Sequence, residues 1–160
     1  MEGKRISESR VTLSAVMGPQ HTNGLGNVHG GVIMKMVDEA AGFAAMRHAR
    51  HPAVTVAIDS MTFMEPIRVG MLVTCNAELS YAGRTSMEVR VEVITENPLE
   101  GIPKLTNTAY LVFVALDEAG NPTAVPPLIL ETEEQKLRAN RAKERQAYRK
   151  QNLSNELNQS

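Results

Sequence analysis

Asn27, His29, Gly30, Gly31 and Asp38 are the residues whose types and spacing best suit this chain to chemistry. The stretch Gly26-Asn27-Val28-His29-Gly30-Gly31 reads as a tight turn, and a helix is predicted from Val32 to about Arg47. Paired glycines let a ligand approach the backbone. The free N–H groups at a helix start can hold developing negative charge. Asn27 and His29 add polar side chains to the same turn. Asp38 lies on a helix that is otherwise almost wholly apolar, where a carboxylate is costly unless it is paired, hydrated or used. With that turn just before it, Asp38 has what a reaction centre needs.

The helix that must position these groups carries Val32, Ile33, Met34, Met36, Val37, Ala40, Ala41, Phe43, Ala44, Ala45 and Met46 on nearly every face. Such a helix is expected to be buried. About 16 residues give a length of roughly 24 Å, and the segment is too short and too charged to span a bilayer. Lys35 shares a face with both Asp38 and Glu39, and a Lys35–Glu39 pair at a solvated edge is expected. Gly42 leaves room on the same stripe. His48 and His51, three apart at the helix end, do not make a metal site without further ligands. They are read as cations favoured by the helix dipole, with Pro52 ending the helix.

The remainder reads as strands and loops. Arg10 to Met17 alternates. Ala53 to Phe63 is predicted as a strand with Val54, Val56 and Ile58 on one face. Asp59 and Ser60 are possible catalytic groups there, ranked below Asp38 because no glycine turn or helix start adjoins them. Met71 to Tyr81 and Ser86 to Thr95 form a hairpin around Ala82-Gly83-Arg84-Thr85. In its second strand Met87, Val89, Val91 and Val93 are expected inside, and Glu88, Arg90 and Glu92 in water. Lys104 to Leu116 gives a last long strand. Glu131 to Lys150 is predicted as an exposed, charged tail helix, acidic early and basic late, with Asn152 to Ser160 frayed.

At 160 residues and a formal charge of −1, the chain suits one domain with no call on nucleic acid. Its single cysteine, Cys75, cannot form an internal disulfide and is expected as a packed thiol in a reducing compartment. No apolar signal region or transmembrane run is present, so a cytoplasmic location is expected, with no membrane partner. There is no P-loop, Rossmann fingerprint or G-x-S-x-G elbow, so a serine of the α/β-hydrolase kind is excluded.

GNVHGGVIMKMVDEAAG resembles the signature of the hotdog-fold acyl-CoA thioesterases, in the branch of cytosolic acyl-CoA hydrolases. The resemblance extends over most of residues 10–150, through RHARHPAVTVAIDSMTFMEPIRVG, GRTSMEVRVEV and VPPLILETEEQK. It implies an α+β hotdog fold: a long central helix wrapped by a curved antiparallel sheet of about five strands. It implies a hotdog domain at 8–125 and a C-terminal extension with the charged helix at 126–160. The implied activity is hydrolysis of acyl-CoA thioesters, with Asp38 as general base or nucleophile and Asn27 contributed by the partner chain. Gly30 and Gly31 amides would polarise the carbonyl, and His29 would contact substrate. Coenzyme A phosphates would meet Gly83-Arg84-Thr85-Ser86, then Arg68 and the tail cations. No cofactor is implied, since coenzyme A belongs to substrate and product. A homodimer, assembled further into a trimer of dimers, is implied as well. Two other readings remain at this point: a hotdog enoyl-CoA hydratase, and a non-catalytic acyl-CoA-binding sensor.

Overall fold

A computed structural model describes residues 1–59 and 61–159. The elements run β1 (Lys4–Arg5), β2 (Val11–Val16), α1 (Gly30–Ala49), β3 (Ala53–Asp59), β4 (Leu72–Ala82), β5 (Ser86–Glu96), β6 (Lys104–Ala115), β7 (Leu128–Ile129) and α2 (Glu133–Asn158). Five strands form an antiparallel sheet in the order β2-β4-β5-β6-β3, and α1 packs on its inner face. This is the α+β hotdog arrangement expected from the sequence.

The core lies between α1 and the sheet. Ile33, Val37, Ala40, Ala41, Ala44 and Ala45 of the helix meet Val73, Leu79, Met87, Val89, Val91, Leu111 and Phe113. Alanines at these helix positions let the axis approach the sheet, and Gly42 admits the Phe113 ring, which lies 3.5 Å from where a Cβ would stand. Burial on one side is incomplete in the single chain. Met34, Lys35, Glu39, Phe43 and Arg47 form an exposed stripe, and Lys35 pairs with Glu39 at 3.8 Å. Cys75 is fully buried, and burial pushes its thiol up to about 11, which makes it unreactive at neutral pH.

The sequence reading needs four corrections. The tail helix is longer than expected and is not a free tail. It starts at the Thr132 cap, whose hydroxyl accepts from Gln135 N–H at 3.1 Å, and continues through Asn158 instead of fraying at Asn152. Ala139 and Ala142 are buried where it crosses the outer face of the sheet. Glu88, expected in water, is therefore only 2% exposed.

Strand β3 does not keep Val54, Val56 and Ile58 on one face. Thr55 stands opposite Phe113 and Ala57 opposite Val112, so Val56 is an extra residue in a β-bulge. Val54 pairs with Val114 on the outer face, whereas Ile58 pairs with core Leu111 on the inner face. His48 is not a solvated cation at the helix end. It is completely buried, its Nε2–H donates to the Pro126 carbonyl at 2.7 Å, and Nδ1 has no partner among the described residues.

Loss of hydration outweighs the Pro126 bond and holds the His48 pKa below 6.5. The unfolded chain binds this proton first, so stability is full above pH 6.5 and falls as pH drops below it, by up to about 1.4 kcal/mol per unit. Denaturant melts of wild type and His48→Phe from pH 7.5 to 5 should show this slope only in wild type.

The chain beyond the sheet is tied back to it. Lys4–Arg5 runs parallel to Leu128–Ile129, and Lys4 Nζ donates to the His48 carbonyl at 2.7 Å. These contacts connect the first residues, the end of α1 and the start of the C-terminal segment.

Candidate active site

The turn before α1 is built by Asn23. Its side-chain oxygen accepts from the Leu25 and Asn27 amides at 3.0 and 3.2 Å, while its own amide donates to the Asn27 carbonyl at 2.7 Å. Gly26, at φ +80°, supplies the left-handed step that closes the loop. Two neighbouring loops hold the next residues. Asn27 forms an isolated β-bridge with Arg68, the Val28 amide donates to Ile67, and the His29 amide donates to His21. His21 is fixed by the Gly18 N–H, which donates to Nδ1 at 2.9 Å.

His29 is the N-cap of α1 but forms no side-chain cap, and it is exposed. The Val32 amide turns back to the His29 carbonyl at 3.0 Å, while the Gly30 and Gly31 amides have no acceptor among the described residues. Open space surrounds Gly31. Two unspent donors at the positive end of a 20-residue helix provide a place for an oxyanion. A cavity of about 370 Å³ opens beside them, lined by Asn27, Val28, Ile33, Phe63, Met64 and Ile67 among others. Its walls are mainly apolar, as suits an aliphatic chain.

Asp38 lies farther along the helix. It is half-buried, and its Oδ1 accepts from the Thr55 hydroxyl of β3 at 2.7 Å. Thr55 immediately precedes the bulge and faces inward, which aims its hydroxyl at the helix. Asp38 lies eight positions after Gly30 on the same helix, so their backbones are about 12 Å apart along the axis. One chain therefore does not bring its own Gly30 turn and Asp38 to the same carbonyl.

The hairpin tip is more distant still. Arg84, Thr85 and Ser86 lie beside Ala115 and Val125, which are bonded to the Thr85 and Arg84 carbonyls. Along β5, Ser86 is roughly 23 Å from Val93, which stands near the Gly30 end. The Arg84 guanidinium is exposed and makes no ion pair among the described residues. Ser86 Oγ meets Gln146 at 3.5 Å. Of the tail cations, Arg138 pairs with Glu78 and Glu134, Arg145 with Glu88, and Arg149 with Asp59. They bind the helix to its own sheet. Asp59 faces Arg149 on the outer side, away from Asp38, and Ser60 lies outside the described residues. No group of three or more His, Cys, Asp or Glu side chains among the described residues is arranged to hold a metal.

The sequence reading missed two contributors. Thr55 was hidden as an ordinary strand threonine, although its place opposite a helix carboxylate gives it a role. Asn23 was assigned to a loop by composition, although an Asn two and four residues before unpaired amides is a local turn signal.

Residues 25–102 match the thioesterase superfamily. Over 149 residues the chain is 37% identical to the uncharacterised acyl-CoA thioester hydrolase YkhA of Bacillus subtilis, covering 93% of this chain and 87% of that one. It is 34% identical over 146 residues to the cytosolic acyl coenzyme A thioester hydrolase of Rattus norvegicus, covering 90% of this chain but 38% of the rat protein. Among solved structures, an acyl-CoA hydrolase of Staphylococcus aureus in complex with butyryl coenzyme A, coenzyme A and coenzyme A disulfide superposes with a TM-score of 0.88. The two are 35% identical, and the match covers 97% of this chain and 94% of that one.

Proposed function

We propose that this chain, which belongs to the thioesterase superfamily and is an acyl-CoA thioester hydrolase, cleaves its substrate at a site completed by two copies of itself. The observation that carries the proposal is the division of labour along α1. Oxyanion donors lie at Gly30 and Gly31, and a bonded carboxylate lies about 12 Å away at Asp38. A second copy, antiparallel to the first, supplies the missing half at each site.

In the reaction, the thioester oxygen lies on the Gly30 and Gly31 amides of one protomer. Asp38 of the other takes a proton from water as the water oxygen bonds to the carbonyl carbon. The tetrahedral intermediate collapses with cleavage of the C–S bond. The proton held by Asp38 passes to the departing sulfur, giving free acid and coenzyme A. On the alternative route Asp38 attacks directly, and water then hydrolyses the mixed anhydride. Thr55 holds Oδ1 and leaves Oδ2 for the reaction. No cofactor enters either route.

Asn27 positions the water or the carbonyl from the Gly30 side, and His29 borders the entry. Arg84, Thr85 and Ser86, with Arg68, receive the coenzyme A phosphates, the hairpin tip reaching the ligand from the second copy. A second assignment of the amide is favoured by variants solved for the S. aureus enzyme. Alanine replaces an aspartate, a threonine seventeen positions after it, and an asparagine fifteen positions before it. Asp38 and Thr55 have the first spacing here, and Asn23 and Asp38 have the second. Comparing Asn23→Ala with Asn27→Ala decides between them. The positioning asparagine should cost about 10²-fold or more in kcat, and the other a smaller loss confined to KM or stability.

The dimer forms through β3. That strand is an open sheet edge, and Val54, Val56 and Ile58 are exposed on it, with Val56 at 56%. Met34 and Phe43 extend the apolar surface onto α1. A structure of an apo-hexameric acyl-CoA thioesterase, 36% identical, superposes with a TM-score of 0.90 and covers 96% of this chain. It supports a trimer of dimers. Val56→Lys should dissociate the β3 contact, as read by sedimentation velocity, and abolish thiol release with it.

Free-thiol release from a series of acyl-CoAs tests the function itself. Release with no hydration of crotonyl-CoA is the expected result. Hydration without release would favour the hydratase, and binding without turnover a sensor.

A further inference from the structure

Beyond the cavity at Gly30 lies a second, much tighter space, and the two share Ile33, Phe63, Met64, Glu65 and Ile67 in their walls. The outer one measures about 370 Å³, while the inner slot has room for only about 10 Å³. The inner slot is also lined by Val93 of β5 and by Thr106 and Asn107 of β6. Phe63 stands at the junction. Its ring lies 3.2 Å from where a Cβ on Gly30 would be, so the glycine that offers its amide also makes room for this ring.

We infer that Phe63, backed by Met64, sets the acyl-chain length by closing the inner slot behind the bound thioester. The inference rests on the hydrolase reading above, with the carbonyl at the Gly30 and Gly31 amides. From that point the acyl chain extends into the apolar outer cavity, where Val28, Ile33 and Ile67 are buried. A short chain fills it. A longer chain must enter the inner slot, which stays shut while the Phe63 ring occupies the junction. Both closing side chains are substantially exposed and have few constraints from the core, so trimming them does not remove core packing. The carbonyl of Thr62, beside Phe63, accepts from Asn107 Nδ2, which fixes the backbone of the junction from the β6 side.

The geometry makes this a matter of length and not of affinity in general. Each extra methylene that reaches apolar surface improves kcat/KM by about fourfold, and one that meets a closed wall gains nothing. For wild type, kcat/KM should rise over the first few carbons and then level or fall. In Phe63→Ala the rise should continue over several further carbons, so the ratio of kcat/KM for long chains to that for short ones should increase. Thr106 lines the far end of the slot and is outside the reacting groups. The double variant Phe63→Ala/Thr106→Leu refills the slot from the other side and should return the profile to the short-chain form.

The experiment measures kcat/KM by thiol release for acetyl- through palmitoyl-CoA with wild type, Phe63→Ala and the double variant, each checked by circular dichroism. A shift to longer chains in the single variant, cancelled in the double, supports the inference. An unchanged profile, or an equal loss at every chain length, overturns it while leaving the hydrolase reading intact. Absence of thiol release from any acyl-CoA by folded wild type overturns that reading, and the inference with it.

Discussion

Asp38→Ala should lower kcat for acyl-CoA hydrolysis by about 10²–10⁴-fold, the usual contribution of a positioned proton-transfer group. The protein should stay folded, because Asp38 is only half-buried and, among the described residues, its side chain bonds only to the Thr55 hydroxyl. Asp38→Asn is the sharper variant. Its amide oxygen can still accept from Thr55, so local geometry survives while basicity is lost, and its kcat should fall as far as that of the alanine variant. Thr55→Val should act differently. It removes the bond to Oδ1 and leaves the carboxylate free to turn, so kcat should fall about tenfold to a hundredfold with residual activity. Thiol release at saturating substrate, with KM measured in parallel, checks all three. An Asp38→Asn enzyme with near-wild-type kcat would remove Asp38 from the reaction.

The second large effect is expected in stability, on the other side of the sheet. The Glu88 carboxylate is almost wholly buried under α2. It accepts from Arg145 Nε at 3.0 Å, Arg145 Nη2 at 2.7 Å and the Ser80 hydroxyl at 2.6 Å. The guanidinium also lies 3.8 Å from the centre of the Tyr110 ring. Burial alone would lower the pKa of Arg145, but the bonds and charge of Glu88 outweigh it and hold it above the ordinary value. Arg145→Ala strips a buried carboxylate of its charge partner and should cost about 3–5 kcal/mol in urea unfolding. Replacing both partners, Glu88→Leu with Arg145→Met, should cost far less, because no uncompensated charge is left behind. If the single and double variants are equally destabilised, then packing of the arginine stem, and not the ion pair, holds α2 in place.

These two sites differ in how far the sequence revealed them. The glycine turn and its helix were legible because local chemistry specifies them: Gly26 needs its positive φ, Gly30 and Gly31 open a helix, and eleven apolar side chains follow at close spacing. The hairpin and the buried face of β5 were legible from strict alternation. The seating of α2 was not. Its sequence is polar nearly all round, and only Ala139 and Ala142 mark the buried side. Its hold on the sheet comes from ion pairs formed between residues 57 to 90 positions apart, which no local period records. His48 was misjudged for a related reason. The helix dipole favours a cation there, but the segment around Pro126 folds over the ring and removes its water. The proposed sharing of the site between two copies was implied by the family resemblance, and in three dimensions the separation of Asp38 from Gly30 and the open edge at β3 support it.

The bulge at Val56 makes β3 a strand with a count that matters as much as its composition. Before it, inward-facing residues are odd-numbered, and Thr55 meets the helix. After it they are even-numbered, so Asp59 turns outward to Tyr110 and Arg149. Apart from Thr55, conservative exchanges along β3 should be well tolerated, whereas deleting Val56 would reverse the facing of every residue on one side of it. Either Thr55 would leave Asp38 or Asp59 would be driven toward the core. Recombination between relatives is therefore safe in the loops at either end of β3 and hazardous within it, and a bulge-free strand of identical hydrophobicity would not be an equivalent part.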